Sequence, residues 1–454
     1  MFGAGCSGKY LFAWWILAGD AVHQSMVSEI IESLCSLYRA DKRPWVVGYS
    51  GGKDSTMLVS LVFEALKSID AGERVKEVAV VCTDTRVEIP AVVERVNAEL
   101  SGMQKQSEEQ QLGISTHLLF PSVAQSFWVN IVGRGYPPPN RSFRWCTQRM
   151  KIDPVSEFIR GKLGTWGEAI ILLGARRNES GTRAQTMAAR ERRAHGLHRH
   201  DDLPRCWIAT PIEFLSTDDV WEYLVENPNP WGGDNQGLVQ LYKNASGGEC
   251  PLVVDETTPS CGNSRFGCWT CTVVDRDKAS EGLLASGDTR MSELIRFRQR
   301  LIEYRDPEKG YRDLVRKNGS EGPGPLTMDA RRSLLSELLD LQTRTNLPII
   351  SEEELHLIQT HWNSARNPDD GSGVVQIVHL QRGVPMPDLR DVSRLRALEA
   401  AIAKQKGISE ETLRRLVAKV EEYGESHRAQ GLPEELLQIL QDELREKTSV
   451  GELR

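Results

Sequence analysis

The chain has 454 residues, 40% hydrophobic and 26% charged, with a formal net charge of −7. That length buries a large core and divides into two or three domains, and the charge balance is that of an ordinary cytoplasmic protein. It excludes a small disulfide-stapled scaffold and argues against a stand-alone nucleic-acid binder, while leaving a local basic face open.

Residues 1–24 read as an N-terminal extension. Gly3 to Lys9 (GAGCSGK) imitates a Walker A loop until Tyr10 stands where Ser or Thr is required, and no strand precedes it. The apolar run after it, YLFAWWILAG, is too short to cross a bilayer, and no other stretch approaches that length, so no membrane association is expected.

From 25 to 225 strand and helix signals alternate. The apolar run Trp45 to Tyr49 ends in Ser50-Gly51-Gly52-Lys53-Asp54-Ser55, and a helix is expected from Asp54 to about Lys67. Two glycines without Cβ atoms, at the N-terminus of a helix, let backbone amides turn toward an anion. Ser50 and Ser55 add hydroxyls and Lys53 a charge, so the loop is suited to pyrophosphate. Further strands are expected at 75–83, 116–120 and 169–174, with helices between them. The alternation predicts a mostly parallel, doubly wound α/β sheet with its ligand crevice at the carboxyl ends of the strands. Asp84 follows the second strand, where it suits an adenine amino group or ribose hydroxyl, or equally a helix cap.

Cys146 lies among Arg141, Arg144, Arg149 and Lys151, surroundings expected to favour its thiolate. Gly174 ends the next strand, followed by Arg176, Arg177, Glu179, Ser180 and Arg183. Several arginines at a strand end suit an anion, because their mutual repulsion must be offset. Basic residues continue through Arg190, Arg192, Arg193, Arg199 and Arg205, with His195, His198 and His200 interleaved. This run is either a solvated face or a nucleic-acid contact. Ser216 and Asp219 then form a capping-box pattern before an apolar helix.

Residues 226–290 read as a loop-built, Cys-rich metal module. Of nine cysteines, Cys250, Cys261, Cys268 and Cys271 fall here, around CGNSRFGCWTC, and with Cys146 they suit a four-thiolate site for zinc or iron–sulfur. Residues 291–454 read as a helical C-terminal domain, broken near NGSEGPGP and NPDDGSG, with later helices beginning at Ser409 and Pro433.

The SGGKDS loop resembles the PP-loop of adenine-nucleotide α-hydrolase-like proteins, which cut ATP to AMP and pyrophosphate. With VCTDT, CTQRMKIDP, LGARRNESGTRA and TPIEFLSTDDVWEYL in that order, the chain from about 40 to 275 resembles the phosphoadenylyl-sulfate reductase family. Carried over by motif, the resemblance implies nucleotide contacts from Ser50, Gly51, Gly52, Lys53, Asp54, Ser55, Asp84, Gly174, Arg176, Glu179, Ser180 and Arg183. Asp54, Arg176 and Arg183 are then the expected catalytic set. Within the family, the CGNSRFGCWTC loop and long helical C-terminus most resemble DndC, the sulfurtransferase component of DNA phosphorothioation. That resemblance implies DNA modification linked to restriction, ATP, Mg²⁺ and a [4Fe–4S] cluster in preference to zinc, with a cysteine desulfurase and other phosphorothioation subunits as partners. The implied ligands are Cys146, Cys261, Cys268 and Cys271, with Cys250 an alternate ligand or persulfide carrier. Thr147 occupies the second position of the cysteine pair found in cluster-bearing adenylyl-sulfate reductases. No cysteine follows Cys271, whereas thioredoxin-linked reductases use one in a C-terminal tail. The alternatives are an adenylyl- or phosphoadenylyl-sulfate reductase, an RNA thiolase, and a non-catalytic redox-sensing assembly subunit.

Overall fold

A computed structural model describes residues 8–179, 194–245, 267–274, 276–363 and 373–382, and short stretches between 402 and 441. Six strands form one sheet in the order β3-β2-β1-β4-β6-β5. They are β1 (Trp45–Gly48), β2 (Val78–Thr83), β3 (Ile114–Leu119), β4 (Ala169–Leu172), β5 (His198–Arg199) and β6 (Cys206–Ala209). Every pairing is parallel except β5 with β6.

The strands are short, apolar and buried on both faces, as expected of a parallel sheet covered by helices. On one face Val47, Val80, Ile170 and Leu172 pack with α2 (Lys53–Lys67) and the helix Thr217–Glu226. On the other, Val46, Ala79, Val81 and Ile171 meet Ile159 and Leu163 of the helix Asp153–Trp166. Strand order reverses between β1 and β4, so the chain leaving each strand turns to a different face and opens a crevice there.

Local chemistry fixes several boundaries. The capping box is present in both directions: Asp219 N donates to Ser216 Oγ at 3.1 Å and Ser216 N to Asp219 Oδ2 at 2.6 Å. Such a cap contributes about 1 kcal/mol. In the distal unit, Ser409 Oγ accepts from Thr412 N at 3.0 Å, the bond expected where a helix begins.

The expected divisions differ from the structure in several places. The helix α1 (Gly8–Ala40) runs through the 24/25 boundary. The segment read as loop-built contains the helices Gln236–Ala245 and Lys278–Ala285. The compact units are 1–377 and 378–454, not divided at 290. Helix Arg290–Arg305 is tied into the first unit by Arg298 Nε, which donates to Cys271 O at 2.7 Å, and helices Met328–Thr345 and Glu352–Asn363 by polar side chains that finish a π-helical turn, Val129–Gly133. Its end carbonyls lack helical partners; Val132 O accepts from Arg331 Nε at 2.6 Å and Trp362 Nε1 at 2.8 Å. Among the described residues, no helix is long and apolar enough to cross a membrane.

Candidate active site

The loop after β1 is held from several sides. Gly51 has φ +71°, and a Cβ there would stand 2.7 Å from Val96 Cγ2, so both conformation and space require glycine. Ser55 Oγ receives Ser50 N at 3.1 Å and donates to Gly52 O at 3.0 Å, which closes the turn. Arg95 Nη1, from α3 (Pro90–Glu109), donates to Gly51 O at 2.7 Å. Tyr242 OH accepts from Lys53 N at 3.4 Å, and burial pushes its phenol up to about 12.

Gly174 brings β4 against this loop. A Cβ at Gly174 would lie 2.8 Å from Asp54 O and 2.9 Å from Asp54 C, a separation that only glycine permits. Two residues on, Arg176 is 1% exposed and its Nε donates to Asp54 Oδ1 at 2.5 Å. Lys53 Nζ meets Asp54 Oδ2 at 2.8 Å. Asp54 therefore holds two cations, and the lysine is a buried ion-pair partner inside the loop.

Ser50 to Ser55, Asp84, Gly174 and Arg176 line one cavity of about 900 Å³, together with Glu88, Arg95, Lys151 and Tyr242. That volume is in the range of small-molecule and cofactor sites. Asp84 Oδ1 accepts from Arg86 N at 2.7 Å; burial raises its carboxyl above the ordinary carboxylate range, against the pull of that bond. Arg177 is turned away from this role: it pairs with Glu213 at 3.3 Å and covers the Phe214 ring. Glu179 ends a short 3₁₀ turn, while Ser180 and Arg183 lie outside the described residues.

One end of the cavity meets the cysteines. Lys151 Nζ and Glu88 Oε1 stand 3.3 Å apart, and Cys268 Sγ contacts the same Glu88 oxygen at 3.6 Å and Thr85 Oγ1 at 3.3 Å. Cys271 lies near enough to Cys146 and Cys268 to raise the thiols of both, after burial. The expected thiolate bias of Cys146 is corrected: burial, then Cys271, raises its thiol, and Lys151 only partly opposes this. Arg149 instead reaches Gln125 and Tyr136. Three thiols from two segments are soft donors suited to iron–sulfur or zinc. Among the described residues, no three His, Cys, Asp or Glu stand close enough to hold a metal. Cys250 and Cys261 lie outside the described residues.

The described part of the basic run forms a sheet edge. His198 is buried in β5, and Arg199 covers the Trp207 ring of β6. Arg190, Arg192 and Arg193 lie outside the described residues.

Residues 44–274 match the phosphoadenosine phosphosulfate reductase domain. The chain belongs to that family. An uncharacterized protein of Methanocaldococcus jannaschii is 25% identical over 264 residues, 58% of this chain and 43% of that relative, so the chain spans less than half of that relative's length. Among solved structures, a phosphoadenylyl-sulfate reductase from Candida auris, in a phosphate complex, gives a TM-score of 0.26 at 11% identity, covering 50% of this chain and 89% of its own. The U34-tRNA thiolase NcsA from Methanococcus maripaludis, with its [4Fe-4S] cluster, also gives 0.26, at 14% identity, covering 62% of this chain and 81% of its own.

For this family member, motif reading alone overlooks the residues that brace the loop. Arg95 pairs with Glu99 at 3.2 Å, and Glu99 accepts from Trp231 Nε1. The i,i+4 spacing of Arg95 and Glu99 on a helix was the available signal. Tyr242 had none: 189 positions separate it from the Lys53 amide it meets.

Proposed function

We propose that this protein is an ATP-dependent sulfurtransferase component that replaces a non-bridging oxygen of a DNA backbone phosphate by sulfur. The observation that supports this reading best is the shared wall formed by Glu88 and Lys151. Both line the cavity beside the pyrophosphate loop, and Cys268 contacts Glu88. A nucleotide-activated group and a thiol are thereby within reach of one another.

In this reading the phosphate oxygen attacks the α-phosphorus of ATP and pyrophosphate leaves. The terminal sulfur of a cysteine persulfide then attacks the activated DNA phosphorus. AMP departs with the oxygen, and a second thiol cleaves the remaining S–S bond to give a disulfide. The loop glycines, Lys53 and Arg176 stabilise phosphate charge, an electrostatic role, and Asp84 orients the nucleoside. Arg183, Ser180 and Glu179 complete the proposed set from beyond β4. Mg²⁺, when bound, would supply charge neutralisation of the triphosphate. By the family resemblance, Cys146, Cys261, Cys268 and Cys271, with Cys250 as alternate, would hold a [4Fe–4S] cluster, which would supply a thiolate-ligated redox or sulfur-handling centre; the described three of them do not stand together as a metal site, so no step is assigned to the cluster. Sulfur comes from a cysteine desulfurase, and other phosphorothioation subunits share DNA targeting.

Mass spectrometry of fully digested DNA and RNA from the native host, with the wild-type gene and with Asp54→Ala, tests the proposal. Phosphorothioate dinucleotides present in the wild type and absent in the mutant are the expected result. A thionucleoside lost from RNA instead moves the same chemistry to a base and refutes the DNA acceptor. Unchanged levels in both refute the loop as the active site.

A further inference from the structure

Outside the nucleotide cavity, cations from three segments of the first unit gather on one face. Arg134 follows the π-helical turn, Arg149 lies three residues after Cys146, and Lys317 comes from the loop before Met328. Their polar contacts are to neutral groups. Arg134 bonds Asn130 Oδ1 at 2.8 Å, Arg149 bonds Tyr136 OH at 3.2 Å, and Lys317 Nζ bonds Arg134 O at 3.2 Å. Arg149 and Lys317 also stand over the Tyr136 ring, at 5.4 and 4.7 Å. Exposed Phe143 packs beside that ring at 6.1 Å.

The cations act on one another. Burial and then Arg331, Arg134 and Arg149 hold Lys317 below the ordinary lysine range, and Arg149 does the same to Arg134 after burial. Three like charges with no carboxylate partner among the described residues, in a chain of net charge −7, are relieved by a bound polyanion. Arg134 and Arg149 are half-buried around Tyr136 and Lys317 is exposed beside them, a spread that suits a polymer better than a small ion, and none of the three lines the nucleotide cavity.

The geometry points to this face as the docking surface for a DNA backbone, with phosphates against Arg134, Arg149 and Lys317 leading toward Cys146. This rests on the DNA reading above and assigns the substrate's path to that site. Phosphate contacts position a duplex without reading its sequence, so a partner supplies sequence choice.

The test is fluorescence anisotropy of the full chain with a 20-base-pair DNA duplex across a salt series, comparing wild type with Arg149→Gln/Lys317→Gln. Each phosphate contact contributes about 0.9 to the slope of log K against log salt. Loss of two contacts makes the slope less negative by about 1.8 and weakens binding about thirtyfold at 0.15 M salt. ATP affinity, read on the same variant, stays at the wild-type value and reports an intact fold. An unchanged slope and Kd overturn the surface, as does wild-type preference for single-stranded RNA over the duplex. The assay contains no ATP and reads no sulfur. Phosphorothioate loss in Asp54→Ala beside variants that keep the wild-type salt slope and Kd therefore keeps the proposed function and removes only the docking face.

Discussion

Gly174→Ala tests how the nucleotide cavity is assembled. The new methyl would stand 2.8 Å from Asp54 O, 2.9 Å from Asp54 C and 3.1 Å from Ser55 N. Ordinary contact for such atoms is about 3.5 Å, so β4 and the start of α2 must separate by roughly half an ångström or more. The obstructing atoms are backbone at the first turn of a helix, so no side-chain rotation relieves the clash. Overpacking of this kind costs about 1–3 kcal/mol, and each kcal/mol lowers Tm by about 2–4 °C in a unit of this order of size. The same displacement moves the Asp54–Arg176 pair and the pyrophosphate loop. ATP affinity measured by calorimetry falls tenfold or more, out of proportion to the stability loss. Gly161→Ala is the control: it lies within the helix Asp153–Trp166 with nothing within 4 Å of its Cβ position. It stabilises by about 0.4–1 kcal/mol and leaves ATP affinity alone. Wild-type Tm and affinity in Gly174→Ala would refute the claim that close approach at this glycine shapes the cavity.

Two further substitutions separate binding from bracing. Because burial raises Asp84, its charge penalises the fold as pH rises through that raised value, and the penalty vanishes where the carboxyl is protonated. Asp84→Asn therefore raises Tm at pH 7 by an amount that shrinks toward pH 4, while ATP affinity falls roughly tenfold from loss of a charged acceptor. Arg95→Ala removes the 2.7 Å bond to Gly51 O. ATP Kd rises roughly tenfold, since a charge-assisted hydrogen bond is worth about 1.5–3 kcal/mol, and Arg95→Lys restores part of it; calorimetry of the three proteins reads both effects.

The sequence was most readable where one short segment carries a complete physical signal. Four apolar runs became β1 to β4 because a strand buried on both faces needs an uninterrupted apolar stretch. The pair Ser216 and Asp219 capped its helix because both partners lie within one turn. Strand β6 was missed because Cys206–Ala209 is only four residues long and follows a basic run that reads as surface. The charge expected to activate Cys146 was also misjudged. Arg149 reaches Gln125 and Tyr136 instead, and burial dominates the thiol. The helices after 290 could not be assigned to the first unit from their own pattern. What ties Met328–Thr345 and Glu352–Asn363 there is a set of hydrogen bonds to Val132 and Gly133 carbonyls about 200 positions away, and Arg290–Arg305 is held by Arg298 and Arg305 on the carbonyls of Cys271 and Thr272.

Charge at the loop also explains why Asp54 is the informative position. A helix N-terminus with two adjacent cations would bind phosphate strongly without any carboxylate. A carboxylate placed there weakens simple anion affinity, so its presence calls for another role. Its two oxygens divide between Arg176 and Lys53, at 2.5 and 2.8 Å. Arg176 is nearly fully buried, and its burial is tolerable because Asp54 accepts from Nε while Leu215 O accepts from Nη1 at 3.3 Å. Asp54 thus sets the distance between the cations from β4 and those of the loop, and fixes the direction from which they meet a phosphate. Orientation rather than affinity is what a displacement reaction at phosphorus needs, because only charge placed where the transition state develops it lowers the barrier.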